Sequence, residues 1–207
     1  MRYNLTKQLL LQVLLPLCLF LCISCPDLQS GESTSQITAL FRNYHIDGTL
    51  LPNAIKIAHS QVGTRETGNN RGAVEKYQKS TGNRPGDPYC YSGIYYCFNE
   101  AAKIAKVPNP LKKTGLASAG RLHLDKTAMN ARGINTPGLL FWQYPQQMTG
   151  HVEISLSIAR AGWVRCIGFN TGGSNARDGG GVEYTMRNIN HPLSRMVIKR
   201  VINFSTS

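Results

Sequence analysis

Between residues 51 and 106 the apolar positions fall at helical spacing. Ala54, Ile55, Ala58 and Val62 line one face and Gly63 supplies a stop, which predicts a first helix. After a loop over Thr64 to Gly72, Ala73 to Ser80 predicts a short second helix ending at Gly82. The run Asn83-Arg84-Pro85-Gly86-Asp87-Pro88 is a dense turn signal. It leads into a third helix from about Tyr89 to Ala105, whose buried stripe is expected to hold Ile94, Tyr95, Cys97, Phe98, Ala101 and Ile104. Tyr91, Tyr95 and Tyr96 on that helix read as core packing. Past a connecting segment around Ala117 to Asn130 the period changes to two. Leu139 to Trp142 reads as a strand, and Val152, Ile154, Leu156 and Ile158 alternate with His151, Glu153, Ser155 and Ser157. That alternation predicts a half-buried strand with His151 and Glu153 on one face. Trp163 to Asn170, Val182 to Arg187 and Met196 to Phe204 are further strands, the first two joined by a Gly-rich loop from Thr171 to Gly181. Helices followed by an antiparallel sheet make an α+β domain.

The pattern before residue 51 is different. Arg2 and Lys7 precede an uncharged Leu-rich run from Leu9 to Ser24, the layout of an export signal. The run contains Pro16 and is short for a permanent span, which needs ~20 apolar residues. Ser24-Cys25 resembles a bacterial lipoprotein processing site, with Cys25 as the lipidated first residue of the mature chain. Residues 26 to 50 begin rich in Ser, Thr and Gly and suit a tether. The expected organisation is a signal peptide over 1–24, a tether over 25–50 and one catalytic domain over 51–207.

Composition narrows the class. In 207 residues the hydrophobic fraction is 42% and the charged fraction 16%, which gives a core and excludes a coiled coil or a disordered chain. The formal net charge of +12 draws polyanions without naming one. An exported chain with no nucleic-acid-binding motif argues against nucleic acid as the partner. Cys22 and Cys25 have metal-pair spacing but no second pair for zinc. Thr171 to Gly181 lacks the Gly-Lys-Ser/Thr ending of a phosphate loop and reads as a cleft rim.

Beyond Cys25 the mature cysteines are Cys90, Cys97 and Cys166, an odd number outside the cytoplasm, so at least one is a free thiol. Cys90 and Cys97 on one helix lie about 10 Å apart along its axis, too far for a disulfide. Cys90 follows the turn into the first turn of the third helix, where unpaired backbone N–H groups favour a thiolate. It is the candidate nucleophile, whereas Cys97 and Cys166 read as small buried hydrophobes. A nucleophilic Cys needs a base. His59 lies within the first helix, His123 in the connecting segment, His191 before a proline and His45 in the tether. His151 follows Gly150 and is held rigidly by its strand. A polar group must orient the base, and Asn170 and Glu153 are the two candidates.

Pro88-Tyr89-Cys90 before an aromatic-rich helix, Thr149-Gly150-His151-Val152-Glu153-Ile154, and Gly168-Phe169-Asn170-Thr171 before a Gly-rich loop resemble the catalytic segments of CHAP-type cysteine hydrolases. These are relatives of the NlpC and papain-like peptidases. The segment Gly63 to Gly72, with Glu66, Asn69 and Asn70, resembles one that often precedes the catalytic Cys in phage and bacterial members. The likeness spans roughly Leu51 to Phe204. It implies a papain-like α+β fold, with Cys90 as nucleophile, His151 as base and Asn170 as the orienting residue, Glu153 being the alternative. Members often carry Glu where this chain has Gly168, and Gly where it has Glu153. They commonly have Trp before the Cys, a place taken here by the aromatic Tyr89.

The resemblance implies acyl transfer without cofactor or metal, on bacterial peptidoglycan, either within the stem peptide or at the bond joining peptide to sugar. The alternative is a catalytically silent wall-binding or interaction module of the same fold. Membrane contact would come only through a lipid anchor, and an inhibitor or immunity protein is a compatible partner. Tyr89, Glu66, Asn69 and Asn70 are the candidate substrate-binding residues. For the Glu66–Gly72 loop, turn building and capping is the preferred reading over lining of the cleft.

Overall fold

The structure, a computed structural model, describes residues 40–134, 137–157, 160–172 and 180–206. Strand β1 (Phe41–Ile46) leads into three helices, α1 (Leu50–Gln61), α2 (Glu75–Thr81) and α3 (Cys90–Ala105), followed by α4 (Ala117–Asp125). Six strands complete the chain: β2 (Met129–Asn130), β3 (Gly138–Gln143), β4 (Gly150–Ser155), β5 (Trp163–Thr171), β6 (Gly181–Asn188) and β7 (Val197–Thr206). They form one sheet with β1 in the order β2-β1-β7-β3-β4-β5-β6. The segment read as an export signal, with Cys22 and Cys25, lies outside the described residues, as does the part of the Gly-rich loop over 173–179. No helix among the described residues is long and apolar enough to cross a membrane.

Several expectations are corrected. The stretch read as a tether contributes β1, which runs parallel to β7 with Phe41 opposite Val201 and Ile46 opposite Thr206. The sheet is therefore mixed, because the chain leaves β1 through all the helices and returns beside it only at the end, and parallel neighbours require such a crossover. The segment from Ala117 contains α4, whose polar sequence buries only Ala117, Gly120, Arg121 and Leu124. Its Arg121 and Asp125 form an i,i+4 ion pair at 2.8 Å. Finally, β4 is buried on both faces, since Glu153 and Ser155 are as inaccessible as Val152 and Ile154.

Double-sided burial follows from two cores. Leu139, Phe141, Val152, Ile154, Phe169 and Phe204 pack against helix residues such as Leu50, Tyr77, Tyr91, Ile94 and Phe98. On the other side Leu140, Trp142, Val164, Cys166 and Val201 are covered by Phe41, Ala131, Ile134 and Met196. Helix α3 packs against α1, α2, β4 and β5. Its stripe runs through Ile94, Cys97, Phe98, Ala101 and Ala102 and stops there, so that Ile104 is exposed, contrary to expectation. The contact with β5 is so close that a Cβ at Gly93 would overlap the Phe169 ring. Only glycine allows that approach, which fixes the start of α3 relative to the sheet.

Candidate active site

Cys90 opens α3 on a braced turn. Arg84 N–H donates to Asp87 Oδ2 at 2.9 Å, and the Gln78 amide donates to the Asp87 carbonyl at 2.6 Å and the Asn70 carbonyl at 2.8 Å. Asn70 in turn holds Gly86, its side-chain amide donating to the Gly86 carbonyl at 3.1 Å. Tyr89 stacks on Tyr77 with centroids 5.7 Å apart and donates its hydroxyl to Glu66 Oε1 at 2.7 Å. Burial and a hydrogen bond to Glu66 push the Tyr89 phenol up, so it stays a neutral donor.

These contacts decide the roles of the Glu66–Gly72 loop. Tyr89 is wholly inaccessible and Asn70 is 3% exposed, and both are engaged within the protein. Glu66 accepts from the Asn70 backbone N–H at 3.0 Å as well as from Tyr89. Of the four residues offered for substrate binding, Asn69 is the one that is exposed and Glu66 is half-buried. The loop braces the turn that delivers Cys90.

The thiol sits at the first turn of a 16-residue helix and is 6% exposed. Backbone N–H groups of that turn have no partner within the helix and point toward any charge on Sγ. Cys90, Cys97 and Cys166 are all free. Burial pushes the Cys97 and Cys166 thiols far up, which keeps them protonated and unreactive.

Among the histidines the structure brings His151 to Cys90, within hydrogen-bonding reach. His45, His59, His123 and His191 are exposed, His59 meeting the Tyr184 hydroxyl at 2.6 Å. The side chain of His151 is 12% exposed, and its Nε2 lies 3.4 Å from Glu153 Oε1 with no hydrogen-bond partner nearer. Nδ1 is then the nitrogen left for the thiol. Burial alone would push the imidazolium toward its neutral form. The hydrogen bonds to Cys90 and Glu153 and the charges on both outweigh that, and His151 is held up at about 9.

Glu153 is fully buried. The Arg187 guanidinium grips it twice, Nε donating to Oε2 at 2.7 Å and Nη2 to Oε1 at 2.8 Å, and Thr185 Oγ1 donates to Oε1 at 3.1 Å. Burial opposes its charge, but His151 and Arg187 together hold the carboxyl well below the usual range. Removing either partner of such a buried pair alone costs about 3–5 kcal/mol, because a bare charge is left behind. Glu153 stands directly opposite Gly168 across β4 and β5, and a Cβ at Gly168 would come within 2.6 Å of Glu153 Oε1.

Asn170 lies at a bulge. Phe169 pairs with Val182 and Thr171 with Gly181, which leaves Asn170 as the extra residue with φ of 57°. Its backbone N–H is engaged by the Tyr89 hydroxyl. The bulge shifts the alternation by one, and Thr171 comes onto the Glu153 face to accept from Arg187 Nη2 at 3.2 Å. Sequence reasoning missed Arg187, Thr185 and Thr171. A signal existed in β6, where Glu183, Thr185 and Arg187 alternate with Val182, Tyr184 and Met186 and so share one face.

Three residues in contact order, a thiol at a helix start, an imidazole and a buried carboxylate, are the elements of nucleophilic catalysis with an oriented base. Compared with known proteins, the chain matches no family model, and no curated protein or solved structure matches it significantly.

Proposed function

We propose that this protein is an exported cysteine hydrolase that cuts an amide bond of bacterial peptidoglycan. The observation that carries the reading is the chain of contacts from Cys90 through His151 to the buried Glu153 carboxylate. The Cys90 thiolate attacks the amide carbonyl, and backbone N–H groups at the start of α3 stabilise the oxyanion. His151, protonated, gives its proton to the leaving amine as the C–N bond breaks. It then takes a proton from water, whose oxygen displaces Cys90 from the thioester and releases the acid. Glu153 holds Nε2 and so keeps Nδ1 on the sulfur.

The CHAP-like segments support a papain-like arrangement, with the nucleophile at the head of a helix and the base on the sheet that the helix packs against. They also motivate the substrate. A basic, exported chain suits a polymer bearing carboxylates, cut as an endopeptidase or as an N-acetylmuramoyl-L-alanine amidase. Export through residues 1–24 and lipid attachment at Cys25 belong to the same proposal. The departure that would favour a silent binding module, Gly168 in place of a carboxylate, loses its force because Glu153 reaches the same space from the opposite strand.

Incubating the mature protein with purified peptidoglycan tests the reading. Mass analysis of the supernatant should show new soluble muropeptides with wild type and none with Cys90→Ser, while Cys97→Ser and Cys166→Ser keep releasing them. Equal loss in all three variants would mark the thiols as structural and sink the assignment.

A further inference from the structure

Beyond the three residues that carry out the proposed reaction, the Glu153 carboxylate has a second cation. Its two oxygens accept from Arg187 Nε at 2.7 Å, Arg187 Nη2 at 2.8 Å and Thr185 Oγ1 at 3.1 Å, all shorter than the 3.4 Å to His151 Nε2. A guanidinium fork fixes the carboxylate plane, which a flexible Glu side chain on its own does not hold. The fork is itself anchored, because Nη2 also donates to Thr171 Oγ1 at 3.2 Å. Thr171 reaches this face only through the bulge at Asn170. The Arg187 side chain is 19% exposed and sits on β6, two strands from His151.

We propose that Arg187 is a positioning residue that acts through Glu153, fixing its carboxylate and sharing its charge, so that His151 receives an oriented but moderated pull. The inference rests on the Cys90–His151 reading of the site. The titratable groups around the network are Cys90 at the head of α3, His151 and Glu153 on β4, Cys166 on β5 and Arg187 on β6. Glu183, further along β6, is paired with Arg65.

The charge balance gives the sign. With Arg187 present, loss of the His151 proton still leaves Glu153 with one cation. Without Arg187, the same loss would strand a buried anion, so His151 would hold its proton to higher pH. A base that grips its proton more tightly is also a poorer acid toward the leaving amine. Removing Glu153 has the opposite effect on His151, because the carboxylate that favours the charged ring is gone. Two neighbouring residues should therefore displace the basic limb in opposite directions.

The test follows His151 by NMR titration in the full mature protein and, in parallel, the pH dependence of muropeptide release. The wild-type imidazole should titrate near 9. Arg187→Met should titrate higher and lose roughly tenfold in kcat with little change in KM, the scale of loss seen when an outer partner that orients a first group is removed. Glu153→Gln should titrate lower. The double variant E153Q/R187M should lose no more kcat than Glu153→Gln alone, since Arg187 acts on the reaction through the carboxylate. Should Arg187→Met not fold, Arg187→Lys keeps the charge without the fork and should lie between wild type and the expected Met behaviour. An Arg187 variant that melts earlier but leaves the His151 titration in place would make Arg187 merely structural and overturn the proposal. A downward shift, or a further loss of kcat in the Glu153→Gln background, would also overturn it. The NMR titration needs no substrate, so a failure of the peptidoglycan reading leaves this outcome separately legible.

Discussion

Glu153 and Gly168 face each other across β4 and β5 and contend for one small volume, since any side chain at 168 begins 2.6 Å from the Glu153 carboxylate. The two positions together hold one carboxylate. Gly168→Ala should therefore push Glu153 away from His151, costing about 1–3 kcal/mol of stability for an overpacked buried site and most of the activity. The exchange E153G/G168E, which returns the carboxylate from the other strand, should recover part of the rate that Glu153→Gly alone loses. Muropeptide release and thermal melts of the three variants check this. An exchange variant as inactive as Glu153→Gly would show that the carboxylate works only from position 153. Cys90 and His151 were legible in the sequence because each depends on a local rule, a thiol at a helix start and a His on a rigid strand. The partner of the imidazole was legible only as a choice between Asn170 and Glu153. Distance between Cα positions favoured Asn170 across the ladder, but the side chain of Glu153 spans the two-residue step along its own strand. The bulge that shifts the alternation at Asn170 leaves no mark in the local pattern.

The placing of Cys90 against the sheet belongs to the element scale. Helix α3 rests on β5 through Gly93, three residues beyond the thiol, where the Phe169 ring fills the space of a Cβ. Gly93→Ala forces the helix and β5 apart. It should lower the melting temperature and reduce activity more than an exposed helical substitution such as Lys103→Ala, although alanine is the better helix former. Equal melting temperatures for the two variants would contradict this account of the packing. Helices α1 and α3 and strand β4 were legible because their apolar positions repeat at one clear period, and α2 and β3 because turn and stop residues bound them. Helix α4 was not, since its stability comes from Arg121, Asp125 and contact with β3 and β4 more than from an apolar stripe. Arg200 on β7 adds a second cation to Asp125 at 2.8 Å, a long-range partner that no window of sequence reveals.

For the whole molecule the consequence is where the folded body begins. Strand β1 was hidden in a polar stretch because its apolar residues are few and its partner β7 lies some 160 residues away. Phe41 is 7% exposed and Ile46 6%, and Tyr44 meets the Phe204 ring edge-on at 6.2 Å. A chain starting at Leu51 loses all three contacts and uncovers β7. Burial of Phe41 and Ile46 alone is worth roughly 3–6 kcal/mol, a drop of roughly 6–24 °C in Tm for a domain of this size. The full mature protein is the reference for that comparison. If the chain starting at Leu51 melts at the same temperature, β1 contributes nothing and the boundary near residue 51 stands.

In the proposed reaction Cys90 is acylated by a peptidoglycan amide. Its most direct test is to mix the mature protein with soluble muropeptides, quench with acid within the first turnovers and locate any adduct by peptide mass analysis. A thioester should form on the Cys90 peptide, absent from Cys90→Ser and from Cys97 and Cys166, and should accumulate when water attack is slowed. Muropeptide cleavage by Cys90→Ser at the wild-type rate, or an adduct on another residue, would contradict it.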